Sequence, residues 1–506
     1  MSKKMQILPD DEHNQLLLSN VHPKDWMNPE PASKYNLVVI GAGTAGLVTA
    51  LGAANLGARV ALVERYFMGG CCLNMGCVPS KAIIRSSRVV GEIWNAADYG
   101  VKVPESPEVN FPQVMERMRR LRAQISDHDS VARLKSLGVD VFLGEGHFKD
   151  RHTLEVEGKT LRFKKAVIAT GSRAAHPSIE GLDDVGYLTN ETVFSLTERP
   201  EHLTVIGGGP IGCELAQSFR RFGSRVTIMQ RNVQFLPRED PEAAALLGKI
   251  FESEGIRCIL SANVKKVSVA NGKKQVHVFS NDGDEIVVAD EILVATGRTP
   301  NLEELNLETA GVEYDVRKGV VVNKYLQTTN PDIYAAGDIC FPYKFTHTAE
   351  ATARIVVQNS LFIKSKKHNS LVIPWCTYTD PEIAHVGMYE KDAEAKNIEM
   401  DTFTRNFKDV DRAIVDGEEA GFIKIHVKKG KDKILGATIV ARHAGEMISE
   451  ITLAMVAGRG LKTLVNVIHP YPTLTDAFKQ VAGQYYADKL TPFLRRLLER
   501  WFRWKR

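Results

Sequence analysis

The feature that most constrains this chain is a pattern of strand, glycine-rich turn and helix that occurs twice. In its first copy, an apolar run over residues 37–40 leads into the turn 41–46, with the sequence GAGTAG, and then into a helix rich in small residues. A second apolar run follows and ends in Glu64. Continuous apolar runs are typical of strands buried on both faces of a parallel sheet. The complete pattern predicts a dinucleotide-binding unit, with the pyrophosphate at the helix N-terminus and Glu64 on the ribose hydroxyls.

The second copy begins with the apolar run 203–206 and the turn 207–212, followed by a helix and a strand over residues 225–229. The position that would carry the acid is Gln230, and Arg231 follows it. An acid at this point would repel the 2′-phosphate of NADP, whereas an arginine can pair with it. The sequence therefore favours NADPH, with NADH as the open alternative. The alternative for Arg231 is a solvated charge in a loop.

Other strands end in small-residue turns. The runs 165–168 and 291–294 are each followed by Ala-Thr-Gly, and residues 331–338 read as a strand that ends in Gly-Asp before a helix near residue 348. Asp338 is thereby placed to hold a ligand hydroxyl, with a simple N-cap as the alternative. The predicted fold class is α/β, with two Rossmann-like dinucleotide-binding domains followed from residue 373 by an α+β domain.

A cysteine pair, Cys72 and Cys77, lies in the turn 69–81, which has the sequence GGCCLNMGCVPSK. The apolar positions after Pro79 recur with helical spacing, and proline suits the first turn of a helix. Cys77 is therefore expected near a helix N-terminus, where the helix dipole and free N–H groups stabilise a thiolate. A low-pKa thiol beside a second thiol is suited to reversible disulfide chemistry.

Two other interpretations of the cysteine pair are less favoured. A zinc site would need further ligands, and no second Cys-x-x-Cys or His-x-x-x-His pair occurs, so no metal site is predicted. A structural disulfide would suit an oxidising compartment, but there is no signal peptide and the cysteines at 213, 258, 340 and 376 are scattered singly. We therefore expect a redox pair in a cytoplasmic protein.

Composition and the remaining segments set limits on the function. A net charge of +4 over 506 residues indicates neither nucleic acid nor an acidic partner. No apolar run is long enough for a transmembrane helix. Residues 1–33 are a polar extension with a short helix near 11–20, to which no chemistry is assigned. Residues 112–137 are expected to form one long surface helix.

Residues 491–506 have the pattern of a basic amphipathic helix. The apolar side chains Phe493, Leu494, Leu497, Leu498, Trp501 and Phe502 share one face, and Arg495, Arg496, Arg500, Arg503, Lys505 and Arg506 lie mostly on the other. Such a helix can lie on an anionic membrane surface. Packing on a second subunit or on a partner is an equal alternative, because the pattern does not separate the two.

A proline-stiffened turn, residues 468–476 with the sequence IHPYPTLTD, leads into a helix of the C-terminal domain. It holds three groups that can handle protons, which are His469, Tyr471 and Asp476.

With these motifs in this order, the chain resembles the flavin-dependent pyridine nucleotide–disulfide oxidoreductases. The resemblance covers roughly residues 35–486, and the cysteine turn is similar to that of the dihydrolipoamide dehydrogenase and mercuric reductase branch. It implies a homodimer in which each subunit binds one FAD and one NAD(P)H. The implied domains are an extension (1–33), an FAD-binding domain (34–186 and 303–372), an NAD(P)-binding domain (187–302), a dimerisation domain (373–490) and the tail (491–506).

The resemblance also implies residue roles. Cys77 faces the flavin, Cys72 is the interchange thiol that attacks the oxidised substrate, and Lys81 lies beside the flavin and pairs with Glu214. Residues 469–476 of one subunit are expected over the cysteines of the other. Positions that match the FAD site are Gly41, Gly43, Gly46, Glu64, Lys81, Gly146, Thr170, Gly171 and Asp338. Positions that match the nicotinamide-nucleotide side are Gly207, Gly209, Gly212, Glu214 and Gly297, with Gln230 and Arg231 at the ribose. Gly70 and Ala349 complete the cofactor candidates.

The sequence departs from the family where the catalytic histidine is expected, because Tyr471 stands there, five residues before Asp476. The reference pKa of tyrosine is about 10, against about 6.5 for histidine. Tyr471 is therefore a poor base near neutral pH, which disfavours dithiol oxidation of the dihydrolipoamide dehydrogenase kind. A tyrosine here resembles mercuric reductase, but the C-terminal cysteine pair that delivers Hg(II) in that enzyme is missing.

The expected function is an FAD-dependent NAD(P)H oxidoreductase that passes electrons through Cys72 and Cys77 to an acceptor at the dimer interface. The acceptor is expected to be a soft metal ion, or else a small disulfide or quinone-like electrophile. Dihydrolipoamide dehydrogenase or another small-disulfide reductase stays an alternative. A membrane-docked, non-catalytic flavoprotein subunit is the alternative from another class.

Overall fold

A computed structural model describes residues 6–103, 108–281 and 283–506. The chain divides into two compact units, Met1–Val233 with Glu254–Leu371, and Gln234–Ser253 with Val372–Arg506. The helices are α1 (Glu12–Val21), α2 (Thr44–Asn55), α3 (Gly70–Met75), α4 (Cys77–Trp94), α5 (Phe111–Ser126), α6 (Val131–Ser136), α7 (Leu182–Val185), α8 (Pro210–Arg221), α9 (Pro241–Ser253), α10 (Thr346–Leu361), α11 (Glu390–Ala395), α12 (Asp411–Asp416), α13 (Ala444–Val456), α14 (Leu461–Asn466), α15 (Asp476–Asp488) and α16 (Pro492–Lys505).

The strands of the first unit are β1 (Tyr35–Ile40), β2 (Val60–Glu64), β3 (Val139–Leu143), β4 (Gly146–Asp150), β5 (Thr153–Val156), β6 (Lys159–Ile168), β7 (Ser172–Ala174), β8 (His202–Ile206), β9 (Arg225–Met229), β10 (Arg257–Ile259), β11 (Asn263–Ala270), β12 (Lys273–Ser280), β13 (Gly283–Ala289), β14 (Glu291–Val294), β15 (Arg298–Pro300), β16 (Tyr314–Asp315), β17 (Gly319–Val320) and β18 (Ile333–Ala335). Those of the second unit are β19 (Pro374–Thr377), β20 (Glu382–Gly387), β21 (Met400–Asn406), β22 (Phe422–Lys428) and β23 (Ile434–Ala441).

The larger sheet of the first unit has a parallel core in the order β3-β2-β1-β6-β18, and β5 and β4 extend it in antiparallel fashion. The long strand β6 pairs with β5 through its first half and with β1 through its second half. Residues 37–39 of β1 are fully buried, as the continuous apolar run predicted. Since the central strands are parallel, the first glycine turn, Glu64 and Asp338 all follow carboxyl ends at one edge of this sheet.

A second parallel sheet has the order β10-β9-β8-β14 and carries the second glycine turn. Both predicted strand–turn–helix–strand patterns are therefore confirmed as parallel units. The antiparallel sheet β11-β12-β13 of the same unit was not predicted. Its strands alternate only weakly between buried and exposed positions, so the sequence lacks the regular alternation that indicates a strand.

The prediction of one surface helix over residues 112–137 was wrong. The segment is split at Ser130, whose side chain caps α6 by accepting a hydrogen bond from the main-chain nitrogen of Arg133. Helix α5 packs between α1 and α4, and its Arg119 and Arg122 are buried. Arg119 pairs with Asp11, the N-cap of α1. The predicted helix near residues 11–20 is thus confirmed as α1, and it neutralises charge buried on α5.

The second unit is built on the antiparallel sheet β19-β20-β23-β22-β21, against which α13 and α15 pack. Its core is aliphatic and aromatic and includes Phe407, Phe478 and Tyr485. A buried ion pair joins Lys424 Nζ of β22 to Asp240 Oδ2 at 2.8 Å. Every residue from 486 to the C-terminus is exposed, so α16 contributes nothing to this core.

Candidate functional site

The cysteine turn is shaped by glycines at its start and by a helix N-terminus at its end. Gly69 and Gly70 have φ values of +81° and +58°, a left-handed conformation that favours glycine, and α3 follows. Cys77 is the first residue of α4, which agrees with the prediction that it lies near a helix N-terminus. Its Sγ lies 3.3 Å from the Oγ1 of Thr346, the first residue of α10. Cys77 therefore receives support from the N-terminus of its own helix and from a hydroxyl of another.

The two thiols of this turn differ sharply in acidity. A hydrogen bond from Cys72 to Cys77, with help from Thr346 and the nearby charge of Lys81, lowers the pKa of Cys77 to about 6. The same hydrogen bond, together with burial, raises the pKa of Cys72. In the reduced pair the thiolate therefore resides on Cys77 and the proton on Cys72. This unequal pair is suited to reversible oxidation to a disulfide.

An ion pair lies one helical turn beyond Cys77. Lys81 Nζ donates to Glu214 Oε2 at 2.8 Å, with the carboxylate on α8 almost fully buried. Helices α4 and α8 pack together, which brings the two residues into contact across a sequence separation of 133. The predicted pairing of Lys81 with Glu214 is present in the structure.

The neighbouring thiol, Cys71, contacts a different set of groups. Its Sγ lies 3.5 Å from Nη2 of Arg298 and 3.6 Å from Nδ2 of Asn190. Arg298 also donates to Ser172 Oγ at 2.8 Å, and Ser172 in turn donates to Asp338 Oδ2 at 2.6 Å. Burial raises the pKa of Cys71 against the opposing effect of Arg298. This network was not predicted from the sequence, because its members are spread along the chain.

The first glycine turn forms a tight cradle at the N-terminus of α2. A Cβ on Gly41, where φ is +99°, would lie 2.4 Å from the main-chain oxygen of Ala169, and one on Gly46 would lie 1.8 Å from that of Gly41. The N-cap, Gly43, provides no side-chain cap, which leaves the N–H groups of the first turn for a ligand. These features fit a bound pyrophosphate.

Glu64 is held at the end of β2 by two main-chain hydrogen bonds. Its Oε2 accepts from Ala42 N and its Oε1 from Tyr66 N, both at 2.7 Å. Burial raises the pKa of this carboxyl, and the two main-chain donors oppose that shift. Gly70 brings the cysteine turn against the same cradle, because a Cβ there would lie 2.6 Å from Cα of Gly43.

The second cradle repeats the first in detail. A Cβ on Gly207 would lie 2.5 Å from Ala295 O, one on Gly212 would lie 2.0 Å from Gly207 O, and the N-cap Gly209 again provides no side-chain cap. Gln230 Oε1 accepts from the main-chain nitrogen of Gly208 at 3.2 Å, which is the contact that Glu64 makes to Ala42. Gln230 is buried, while Arg231 is exposed. The second cradle therefore holds a neutral side chain where the first holds an acid.

The other cofactor candidates line the carboxyl edges of the strands or the helix that follows them. Thr170 Oγ1 donates to Asn301 O at 2.8 Å, and Gly171 and Gly297 have φ values of +69° and +136°.

Gly146 begins β4, and Ala349 in α10 would contact a Cβ on Gly337. Next to Ala349, the Oγ1 of Thr348 is buried without a hydrogen-bond partner in the described structure. An unsatisfied hydroxyl beside the first cradle fits a bound flavin nucleotide.

The three candidates of the proline-rich turn lie in the second unit and differ in accessibility. The His469 side chain is only 4% exposed, and its Nε2 lies 3.0 Å from Glu450 Oε1. Tyr471 is 74% exposed and donates to Asp411 Oδ2 at 2.9 Å, which raises the pKa of the phenol. Asp476 begins α15, and its Oδ2 accepts from Gln480 Nε2 at 2.9 Å. The exposed group here is thus a phenol that holds its proton.

The N-terminal extension contacts the cysteine turn through α5. Arg122 donates from one nitrogen to the main-chain oxygen of Asn74 at 2.6 Å and from another to Asn14 Oδ1 at 2.7 Å. Burial, with the like charge of Arg119, lowers the pKa of Arg122 to about 10. Asn74 also ties the turn together by donating to Met68 O and Gly70 O, both at 2.9 Å. Residues of the extension therefore support the turn that carries the thiols.

None of the helices between residues 6 and 506 that the structure describes is both long and apolar enough to cross a membrane. No cluster of three or more histidine, cysteine or carboxylate side chains within those same residues could hold a metal ion.

Comparisons with known proteins agree with this geometry. The family described as pyridine nucleotide-disulphide oxidoreductase matches residues 35–353, and its dimerisation domain matches residues 373–482. A mercuric reductase from Staphylococcus aureus is 35% identical over 90% of this chain and 83% of its own length. A dihydrolipoyl dehydrogenase from Mycoplasma pneumoniae is 33% identical over 90% of this chain and 99% of its own length. The solved HOCl-induced flavoprotein disulfide reductase RclA from Escherichia coli has a TM-score of 0.80 at 29% identity, covering 89% of this chain and 99% of its own.

Proposed function

Because the chain belongs to the pyridine nucleotide-disulphide oxidoreductase family, whose members use FAD and NAD(P)H, we propose that it oxidises NADPH and reduces a soft electrophile through Cys72 and Cys77. The observation that carries this proposal is the position of Cys77 at the N-terminus of α4, with its Sγ 3.3 Å from Thr346 Oγ1 and Cys72 in the same turn, which makes Cys77 the more acidic thiol of the pair. A structural pair would need no such difference in acidity.

The residues of the two cradles are proposed to hold the cofactors. Residues 41–46, Glu64 and Asp338 would bind FAD, which supplies two-electron transfer between the nicotinamide and the disulfide. Residues 207–212 would bind the pyrophosphate of the second nucleotide. The neutral Gln230 and the exposed Arg231 favour NADPH there, because neither repels a 2′-phosphate and Arg231 can pair with it.

In the proposed cycle the two thiols carry the electron pair. Two electrons and one proton convert the Cys72–Cys77 disulfide into the Cys77 thiolate and the Cys72 thiol. With a disulfide acceptor, Cys72 first passes its proton to Cys77 through their hydrogen bond and attacks as the thiolate. One acceptor thiolate leaves and takes up that proton, and the Cys77 thiolate then attacks Cys72 to release the second acceptor thiolate. The cysteine disulfide is restored, and NADPH has been oxidised to NADP⁺. With a soft metal ion, the same electron pair reduces the ion instead.

The proposed acceptor is an oxidised species, since Tyr471 cannot readily remove a proton from a dithiol. A soft metal ion and a small disulfide are the two candidates of this class. The protein is proposed to act as a homodimer in which residues 469–476 of one protomer complete the site of its partner. The match of residues 373–482 to the family's dimerisation domain supports this assembly.

The proposal is tested with purified, FAD-loaded protein under anaerobic conditions. We expect NADPH to reduce the flavin and a long-wavelength absorption band to appear, which the Cys77→Ser variant lacks. Steady-state assays with Hg(II), other metal ions and small disulfides then separate the acceptors. A protein whose flavin neither NADPH nor NADH reduces would instead be a non-catalytic flavoprotein, and the proposal would be abandoned.

A further inference from the structure

The C-terminal helix α16 is a surface that the proposed chemistry does not use. It spans 14 residues, begins at Pro492 and is capped by the Thr491 hydroxyl, which accepts a hydrogen bond from Leu494 N at 3.3 Å. None of its residues is buried. It also lies beyond residue 482, where the match to the dimerisation domain ends. The helix is therefore well formed locally and is not needed for the fold of its unit.

The two faces of α16 differ in chemistry. At about 100° per residue, the apolar side chains occupy about half of the circumference. They are Phe493, Leu494, Leu497, Leu498, Trp501, Phe502 and Trp504, with exposed fractions from 36% for Leu498 to 77% for Phe493. The opposite half carries Arg495, Arg496, Glu499, Arg500 and Arg503. A contiguous apolar face of this kind in water marks an interaction surface.

Charge and aromatic content identify the kind of surface that α16 fits. Residues 492–506 contain six basic side chains and one acidic side chain. The rings of Trp501 and Trp504 lie 5.4 Å apart, and Lys505 Nζ lies 5.2 Å from the Trp501 ring centre. Tryptophan with flanking lysine and arginine is typical of helices at the boundary between lipid headgroups and acyl chains. Pairing with a second copy of α16 through the apolar faces would leave the arginines in water without a negative partner, whereas anionic headgroups match their charge.

We propose that α16 docks this protein on the surface of an anionic lipid bilayer, with its apolar face among the acyl chains and its arginines on the headgroups. A short helix of about 21 Å lying in the plane of the surface needs no transmembrane span. Docking of this kind depends on anionic lipid and weakens as salt screens the arginines.

The first experiment measures sedimentation of the full-length, FAD-loaded protein with lipid vesicles. We expect binding to vesicles of equal parts phosphatidylcholine and phosphatidylglycerol, and binding at least about tenfold weaker to phosphatidylcholine alone, since several arginines face the headgroups. Raising the salt concentration should release bound protein. Equal binding to both vesicle types, or binding to neither, would overturn the proposal.

The second experiment uses variants. Deleting residues 492–506, the double substitution Arg496→Glu with Arg500→Glu, and Trp501→Ser with Trp504→Ser should each abolish vesicle binding. The control, Arg120→Glu with Lys249→Glu, makes the same charge change at exposed positions outside α16 and should bind normally. NADPH oxidation in the absence of vesicles should be unchanged in every variant. If the deletion converts dimers to monomers in sedimentation velocity, α16 contacts a second copy and the proposal is wrong.

Discussion

The side-chain oxygen of Gln230 accepts a hydrogen bond from the main-chain nitrogen of Gly208 at 3.2 Å, in the place where Glu64 accepts from Ala42 in the first glycine turn. Both side chains therefore hold a glycine turn in shape, but only Glu64 is an acid. A neutral amide can accept the same main-chain hydrogen bond as the acid without repelling a phosphate.

This relationship predicts the effect of Gln230→Glu on coenzyme choice. The carboxylate would keep the hydrogen bond to Gly208, so the fold should be unaffected. We expect the ratio of kcat/KM for NADPH to that for NADH to fall by at least about tenfold, because hydrogen bonds to charged groups contribute roughly 1.5–3 kcal/mol. Arg231→Ala should lower the same ratio, and Arg120→Ala, at an exposed position in the first unit, should leave it unchanged. Faster reaction of the unaltered protein with NADH would contradict the assignment.

A second prediction concerns the pKa of Cys77. In the reduced protein the thiolate of Cys77 should be populated above a pH of about 6 and lost as the pH falls below it, because the pKa is lowered to about 6. Thr346→Val removes the hydroxyl 3.3 Å from Cys77 Sγ and should raise this pKa by about one unit. Ultraviolet thiolate absorbance against pH measures the midpoint.

Thr346→Ser is the matched control for that variant, since it restores a hydroxyl at the same position. Its midpoint should return to that of the unaltered protein. If valine and serine give the same midpoint, the Thr346 hydroxyl does not stabilise the thiolate.

A third prediction concerns the direction of the chemistry at Tyr471. Its phenol donates to Asp411 and its pKa is raised, so it does not act as a base near neutral pH. Tyr471→His would introduce a group whose reference pKa is about 6.5. We expect the oxidation of a small dithiol by NADP⁺ to become at least about tenfold faster, in keeping with the contribution of general base catalysis. Tyr471→Phe, measured in parallel, should give no such gain.

A fourth prediction concerns the N-terminal extension. Asp11 caps α1 by accepting from Asn14 N at 2.8 Å and pairs with the buried Arg119. Asp11→Ala should lower the free energy of unfolding by about 2–3 kcal/mol, less than for a fully buried pair because the Asp11 side chain is 25% exposed. Urea unfolding measures the change. Asp10→Ala, at an exposed neighbouring position, should change stability by less than about 0.5 kcal/mol.

The sequence was most informative where the signal is local. The strand runs 37–40 and 203–206, the glycine turns and a helix N-terminus near Cys77 were all predicted, because each depends on neighbours within a few residues.

The features of the site that were not predicted depend on contacts between distant parts of the chain. Arg122 contacts Asn14 across 108 residues, and Cys71 contacts Arg298 across 227, so no periodicity could indicate either. Residues 112–137 were predicted as a surface helix, but α1 packs on α5 and supplies Asp11 to the buried Arg119. Thr346 is an ordinary residue in the sequence, and its importance follows only from the position of α10 beside Cys77.

The close approach of Gly70 to Gly43, where a Cβ on Gly70 would come within 2.6 Å of Cα of Gly43, has a consequence for protein engineering. The cysteine turn and the first glycine turn contact each other through main-chain atoms, so neither can be transplanted alone into another scaffold. A graft of the cysteine turn would require a recipient whose main chain leaves the same spacing opposite Gly70. Libraries that randomise Gly70 should accordingly return few folded members, whereas a Cβ on Gly43 would lie 3.8 Å from Gly70 Cα, at an ordinary contact distance.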